Sequence, residues 1–129
     1  SVHLPLMEST RKLIGKEEFS MMKKSSIFVN TSRGPIVDET ALIEALQSKD
    51  IAGAGIDVFE KEPIPADNPM RNMENVVLSP HVAGYTSESL RRISEQCTLN
   101  CIQALQGDIP EFVVNREVLP KWKDRFAEK

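Results

Sequence analysis

An α/β fold, a partial doubly wound parallel sheet with flanking helices, is predicted by three observations. Short runs of β-formers at residues 27–29, 51–59 and 76–78 alternate with segments whose apolar residues recur at helical spacing. That order, strand then helix then strand, is the order of parallel strands joined by crossover helices. Each run ends in a polar turn, and the turns carry Arg33, Glu62 and His81.

The chain opens on Ser1-Val2-His3-Leu4-Pro5-Leu6, a short apolar strand ended by Pro5. It has no initial methionine and starts in mid-strand, so a truncation or a piece of a longer gene is expected. Residues 7–15 are polar and turn-like, with Leu13 and Ile14 as anchors. Residues 16–24 carry Phe19, Met21 and Met22 at roughly helical spacing and predict a short helix. Ile27-Phe28-Val29 then forms a buried strand, Gly34-Pro35 breaks it, and Asp38 stands where an N-cap belongs. Behind that cap, residues 38–49 set Ala41, Leu42, Ala45 and Leu46 along one stripe, the pattern of a helix packed on a sheet.

Residues 51–59 read as a second buried strand, in which Gly53 and Gly55 permit close approach of a helix or a ligand. Three prolines and several charges make residues 60–75 a long loop, and long loops in compact domains are often functional. Val76-Val77-Leu78 is a third internal strand, closed by Ser79-Pro80. Thr86 or Ser87 caps a helix running to about Gln106, with Leu90, Ile93, Cys97, Cys101, Ala104 and Leu105 as its stripe and Gly107 as its stop. Residues 109–115 are extended, and 117–129 form a charged tail, with Trp122 and Phe126 as apolar anchors, ordered only where it docks. Four short strands leave an exposed sheet edge.

With a net charge of −3 and no basic run, nucleic acid and an anionic membrane surface are not expected partners. The apolar runs are far short of a membrane span and no leader precedes them, so a soluble, cytoplasmic protein is expected. Cys97 and Cys101 lie four apart on one helix face, where a disulfide would close no useful loop. They are expected to be free, buried thiols in a reducing compartment, and no further ligands nearby suggest a metal site. Asn30-Thr31-Ser32 matches a glycosylation acceptor by chance, since it falls at a strand end.

Successive parallel strands point their carboxyl ends to one side of a sheet, so Arg33, Glu62 and His81 are expected to meet in one crevice. Histidine exchanges protons near neutrality and suits an alcohol or carbonyl oxygen. A neighbouring glutamate would orient the ring and favour its charged form. An arginine would grip a carboxylate in a bidentate manner and polarise the adjacent carbonyl. No side chain carries hydride, so a nicotinamide cofactor is required for that chemistry. Taken singly, each residue has a plainer reading: Arg33 on a solvated turn, Glu62 on a charged loop, His81 in a structural turn and Asp57 as a strand-end cap.

Val29-Asn30-Thr31-Ser32-Arg33-Gly34, then Gly55-Ile56-Asp57-Val58-Phe59 with Glu62-Pro63, then Ser79-Pro80-His81-Val82-Ala83-Gly84 resemble the three signature segments of the D-isomer-specific 2-hydroxyacid dehydrogenases. Val2-His3-Leu4-Pro5-Leu6 resembles the strand before them, and the likeness runs to Asn115 in order and spacing. The resemblance implies a Rossmann-like domain using NAD or NADP, with His81 as acid/base, Glu62 as its partner and Arg33 as substrate anchor. It also implies that Asp57 holds the nicotinamide carboxamide, and that Leu4, Pro5, Thr31, Ser32, Arg33, His81 and Gly84 line the cofactor cleft. Glutamate at Glu62 fits these dehydrogenases, whereas the related formate dehydrogenases carry glutamine there; Met7 stands where many relatives have threonine. Residues 1–106 would be the second half of the dinucleotide-binding domain with its exit helix, and 107–129 an extension belonging to or docking on the substrate domain.

The glycine-rich G-x-G-x-x-G turn is not in this sequence, and Gly53-Ala54-Gly55 does not replace it, because no helix opens there. The leading expectation is therefore part of an NAD(P)-dependent reductase of a small 2-oxo acid (glyoxylate, hydroxypyruvate or a phosphoglycerate-type acid), inactive alone and dimeric through the nucleotide domain. A non-catalytic, dehydrogenase-like binding or assembly module is the alternative. A hydrolase using Ser79 or Ser32 with His81 is a weak third reading, since neither serine sits in a nucleophile turn.

Overall fold

A computed structural model describes residues 1–127 of the chain, without the side chains at 123 and 125–127; the expected Phe126 anchor lies outside the described residues. Contacts divide the chain into two compact units, Ser1–Gly84 and Tyr85–Lys129.

The first unit is built on a parallel sheet of β1 (Ile27–Asn30), β2 (Gly53–Ile56) and β3 (Val76–Leu78), in the order β1-β2-β3. Asn30 pairs with Ile56 and Ile56 with Leu78, so the three strands end in one row. Helices α1 (Lys16–Ser20) and α2 (Glu39–Gln47) pack on each other, and Leu42, Ala45 and Leu46 of α2 join Phe28, Ile36, Ile51, Ile56 and Met70 in one core. Phe19 of α1 meets Phe28 of β1 edge to face, with ring centroids 5.2 Å apart. Asp38 caps α2 as expected, its carboxylate accepting from the Ala41 N–H at 3.3 Å.

Several boundaries differ from the sequence reading. The strand expected at residues 1–6 is reduced to a single bridge between Val2 and Asn30, because Pro5 cannot donate to a ladder. The helix expected at 16–24 stops at Ser20; Met21 is exposed, and the polar run Lys23-Lys24-Ser25-Ser26 offers no further apolar face. Ile27 is 62% exposed, so β1 buries one face, through Phe28 and Asn30, rather than both. Of the two anchors expected before α1, Ile14 bridges Val37 but Leu13 is exposed. The strand of residues 51–59 keeps its ladder only over Gly53–Ile56, since the Asp57 carbonyl turns away to accept from the His81 N–H at 2.9 Å. What approaches Gly53 is backbone: a Cβ there would lie 2.6 Å from the Asn75 carbonyl oxygen. β3 is an edge strand with Val77 largely exposed.

The second unit holds α3 (Ser87–Gln106), a short 3-10 turn at Arg116–Val118, and α4 (Leu119–Ala127). The ends of α3 agree with the sequence reading. The Thr86 hydroxyl oxygen accepts from the Ser89 N–H at 3.1 Å, and Gly107 adopts a left-handed φ of 88°. Cys97 and Cys101 are free but exposed, not buried: a helix with no sheet beneath it in its own unit has no interior to receive them. Among the described residues no helix is long and apolar enough to cross a membrane.

Candidate active site

The row of strand ends places three polar loops side by side. Asn30, 2% exposed, organises the first: its Oδ1 accepts from the Ser32 N–H at 3.1 Å and the Ser32 hydroxyl at 3.0 Å, and its Nδ2 donates to the Arg33 carbonyl at 3.2 Å. The backbone at Arg33 is thereby held while its guanidinium stays exposed, with Nη1 donating to the Ser32 carbonyl at 2.7 Å. Thr31 is exposed beside it, as are Leu4 and Pro5, which follow the Val2 bridge to Asn30.

The second loop carries Glu62. Its Oε1 accepts from the Phe59 N–H at 3.0 Å, and its Oε2 lies 2.8 Å from His81 Nδ1. The hydrogen bond with His81, then the one from Phe59, holds the Glu62 carboxyl below its ordinary range, so it is an acceptor at neutral pH. An ionised carboxylate has no proton to give, so Nδ1 must be the ring nitrogen that donates. That leaves Nε2 as the atom able to exchange a proton with another molecule.

His81 itself has a left-handed φ of 56°, uncommon for a residue with a side chain and shared here with Lys12 and Lys49. Asp57, 3% exposed, imposes that turn. Its carboxylate takes the Ser79 hydroxyl at 2.6 Å, the Val82 N–H at 2.9 Å and the Ala83 N–H at 3.0 Å. Burial alone would raise the Asp57 pKa, but these donors outweigh it and the net direction is down. A carboxylate offers about four acceptor sites, so three donors leave capacity for one more. Gly84 follows in open space, with no atom within 4 Å of where a Cβ would stand.

Of the three residues expected to converge, Glu62 and His81 are brought into contact and Arg33 is not; it makes no ion pair with Glu62 among the described residues. The serines of the hydrolase reading are engaged elsewhere, Ser79 by Asp57 and Ser32 by Asn30. The sequence reading missed Glu39 and Asn68. Glu39 Oε2 accepts from the Glu60 N–H at 2.9 Å, and its Oε1 from Asn68 Nδ2 at 2.7 Å. The only signal in the sequence was Glu39 beside the N-cap, where an acidic residue is ordinarily explained by its own helix. Among the described residues no cluster of three or more His, Cys, Asp or Glu side chains is placed to hold a metal ion.

A parallel α/β sheet whose polar groups gather beyond the carboxyl ends of its strands defines a unit of the Rossmann-like, dinucleotide-binding class. Within that class the chain belongs to the D-isomer specific 2-hydroxyacid dehydrogenases: residues 1–83 match the model of that family's NAD binding domain. It is 50% identical over 119 residues to the glyoxylate reductase of Korarchaeum cryptofilum (strain OPF8), covering 92% of this chain and 36% of that one. It is likewise 50% identical over 115 residues to glyoxylate/hydroxypyruvate reductase B of Enterobacter sp. (strain 638), covering 89% and 36%. The crystal structure of D-lactate dehydrogenase with NAD+ from Lactobacillus jensenii superposes with a TM-score of 0.81 at 39% identity, over 87% of this chain and 38% of that chain. A D-isomer specific 2-hydroxyacid dehydrogenase from Xanthobacter autotrophicus Py2, in complex with NADPH and MES, gives a TM-score of 0.73 at 38% identity, over 88% and 47%. The chain thus spans about a third of the length of the curated relatives it matches.

Proposed function

We propose that this chain supplies the proton-transfer half of an NAD(P)-dependent oxidoreductase that interconverts a small 2-oxo acid and its 2-hydroxy acid, of the glyoxylate, hydroxypyruvate or phosphoglycerate type. The observation that carries the proposal is the 2.8 Å contact between Glu62 and His81 beside the Arg33 loop. Residues 1–106 form the second half of the dinucleotide-binding domain and its exit helix in this reading, and 107–129 an extension on the substrate domain.

The residues present fit a nicotinamide cofactor. Asp57 has acceptor capacity for one further donor, such as a carboxamide, and Thr31, Arg33, Leu4, Pro5 and Gly84, all exposed, line the cleft in this reading. Ser32 contributes by holding the turn, since its hydroxyl and N–H both donate to Asn30 and its carbonyl accepts from Arg33. When bound, the cofactor supplies the hydride. The chain's own residues do the rest. Arg33 grips the substrate carboxylate through its planar fork and draws charge toward the adjacent oxygen. His81 Nε2 gives its proton to that oxygen, and Glu62 holds the ring through Nδ1.

Joining this chain to the remaining two thirds of the Korarchaeum glyoxylate reductase tests the proposal. The chimera should oxidise NADH with glyoxylate, and His81→Ala should lower kcat by about 10²–10⁴-fold, the usual range for a lost general acid. A chimera that binds NADH but shows the same rate with and without His81 would instead favour a non-catalytic binding module. In this reading two copies associate through the nucleotide domain, which sedimentation of the chimera would reveal.

A further inference from the structure

We propose that Glu39 is a positioning residue of the site, its carboxylate tying the 59–68 loop to the start of α2 and so fixing where Glu62 meets His81; the role rests on the reductase reading of that pair. An acidic residue in the first turn of a helix is ordinarily explained by the unpaired N–H groups of its own helix. Glu39 does something else: both of its oxygens reach across to another segment.

One oxygen accepts from the Glu60 N–H at 2.9 Å and the other from Asn68 Nδ2 at 2.7 Å. The two donors flank Glu62 in the chain, so one carboxylate pins the loop on both sides of it. Each anchor is tied to further structure. Asn68 is buried, and its Oδ1 accepts from the N–H of Met70, itself fully buried. Glu60 follows Phe59, whose carbonyl packs against Gly34 and whose N–H donates to Glu62 at 3.0 Å. The chain of contacts therefore runs from α2 through the peptides at 59 and 60 to the carboxylate that holds His81.

Removing the Glu39 carboxylate frees Glu60 and leaves Asn68 Nδ2 buried without its acceptor, so the loop can drift and Glu62 with it. Misplacement by about 1 Å is enough to cost up to about 10²-fold in rate.

The test has two readouts. In the 129-residue chain labelled with ¹⁵N-histidine, exposed His3 serves as internal reference, and His81 should carry its neutral-ring proton on Nδ1. In Glu39→Ala that preference should invert toward Nε2, and in Glu39→Gln, which keeps one acceptor oxygen, it should be intermediate. In the chimera, Glu39→Ala should lower kcat by about 10- to 100-fold with KM for NADH unchanged, and Glu39→Gln should restore part of the loss. An unchanged His81 tautomer in a folded Glu39→Ala chain overturns the proposal. If Glu39→Ala loses its dispersed amide spectrum, Glu39→Gln is judged on the same terms. A chimera inactive with Glu39 in place overturns the reductase reading instead, and the tautomer ratio still decides the role of Glu39.

Discussion

The Cα of Gly34 lies against the carbonyl of Phe59, so closely that a Cβ added at Gly34 would stand 1.9 Å from the Phe59 oxygen and 2.6 Å from the Glu60 nitrogen. The atoms in the way are backbone, and they belong to the loop that carries Glu62. Gly34→Ala must therefore push the Arg33 and Glu62 loops apart, at a cost of about 3 kcal/mol, the upper end for overpacking a fitted interior. Urea unfolding should show a lowered midpoint with an unchanged slope. A loss under about 1 kcal/mol would mean that the two loops are not mechanically linked.

How much of this was legible in the sequence depends on whether the signal is periodic. α2 and α3 could be read from apolar stripes and caps, and the observed caps at Asp38, Thr86 and Gly107 are the residues the sequence marked. β1, β2 and β3 could be read as β-forming runs, though the end of β2 could not, because Asp57 leaves the ladder for a turn distant in sequence. The contact of Glu62 with His81 followed from topology, since neighbouring parallel strands deliver their loops to one edge. Glu39 was not legible. A single carboxylate that bonds across 21 and 29 residues has no repeat, and its local setting already has an ordinary explanation. The exposed cysteines failed for a related reason: a helical stripe indicates a face to be covered, not what lies over it.

Asp57 should make stability depend on acid pH. Its folded pKa is lowered by Ser79, Ala83 and Val82 against the opposing effect of burial, so the unfolded chain binds the proton more tightly. Its contribution is fully present above the ordinary aspartate value of 3.8 and is lost as pH falls through the lower folded value. Asp57→Asn loses the charge-assisted bonds and should cost about 2–3 kcal/mol near neutrality. Denaturation at a series of pH values should show the gap between the two proteins narrowing below the ordinary aspartate range. A gap that does not depend on pH would mean that the carboxylate is not the element holding the 81–83 turn.

Glu62→Gln should separate orientation from charge. Glutamine retains an oxygen for the Phe59 N–H, but the amide that then faces His81 Nδ1 is a donor and cannot accept the ring's proton. In the chimera kcat should fall by about 10²-fold while KM for NADH is unchanged. Full activity in Glu62→Gln would remove Glu62 from the proton-transfer machinery. Exposure of this pair is substantial, so its effect on folding stability should be small.

The cap and the ion pairs around Asp38 should separate by substitution. Asp38→Ala removes the acceptor of the Ala41 N–H and should cost about 1 kcal/mol, whereas Asp38→Asn keeps a good cap and should cost little. Lys12 lies 3.4 Å from Asp38 and 3.7 Å from Glu60, but it is half exposed, so Lys12→Met should change stability by less than about 0.5 kcal/mol. Thermal unfolding of the three variants gives the ranking. A larger effect for Lys12 than for Asp38 would reverse the assignment of cap over ion pair.

Two glycines should respond oppositely to the same change. Gly107 has a φ of 88° as the C-cap of α3, so Gly107→Ala should destabilise the second unit by about 1 kcal/mol. Gly84 lies in open space and outside the left-handed region, so Gly84→Ala should leave stability unchanged. If Gly84 lines the cofactor cleft as proposed, the added methyl should nevertheless raise KM for NADH in the chimera, because only the bound cofactor would meet it. Calorimetry and NADH titration of both variants check this. An unaltered KM in Gly84→Ala would place the cofactor elsewhere, since nothing among the described residues opposes that methyl group.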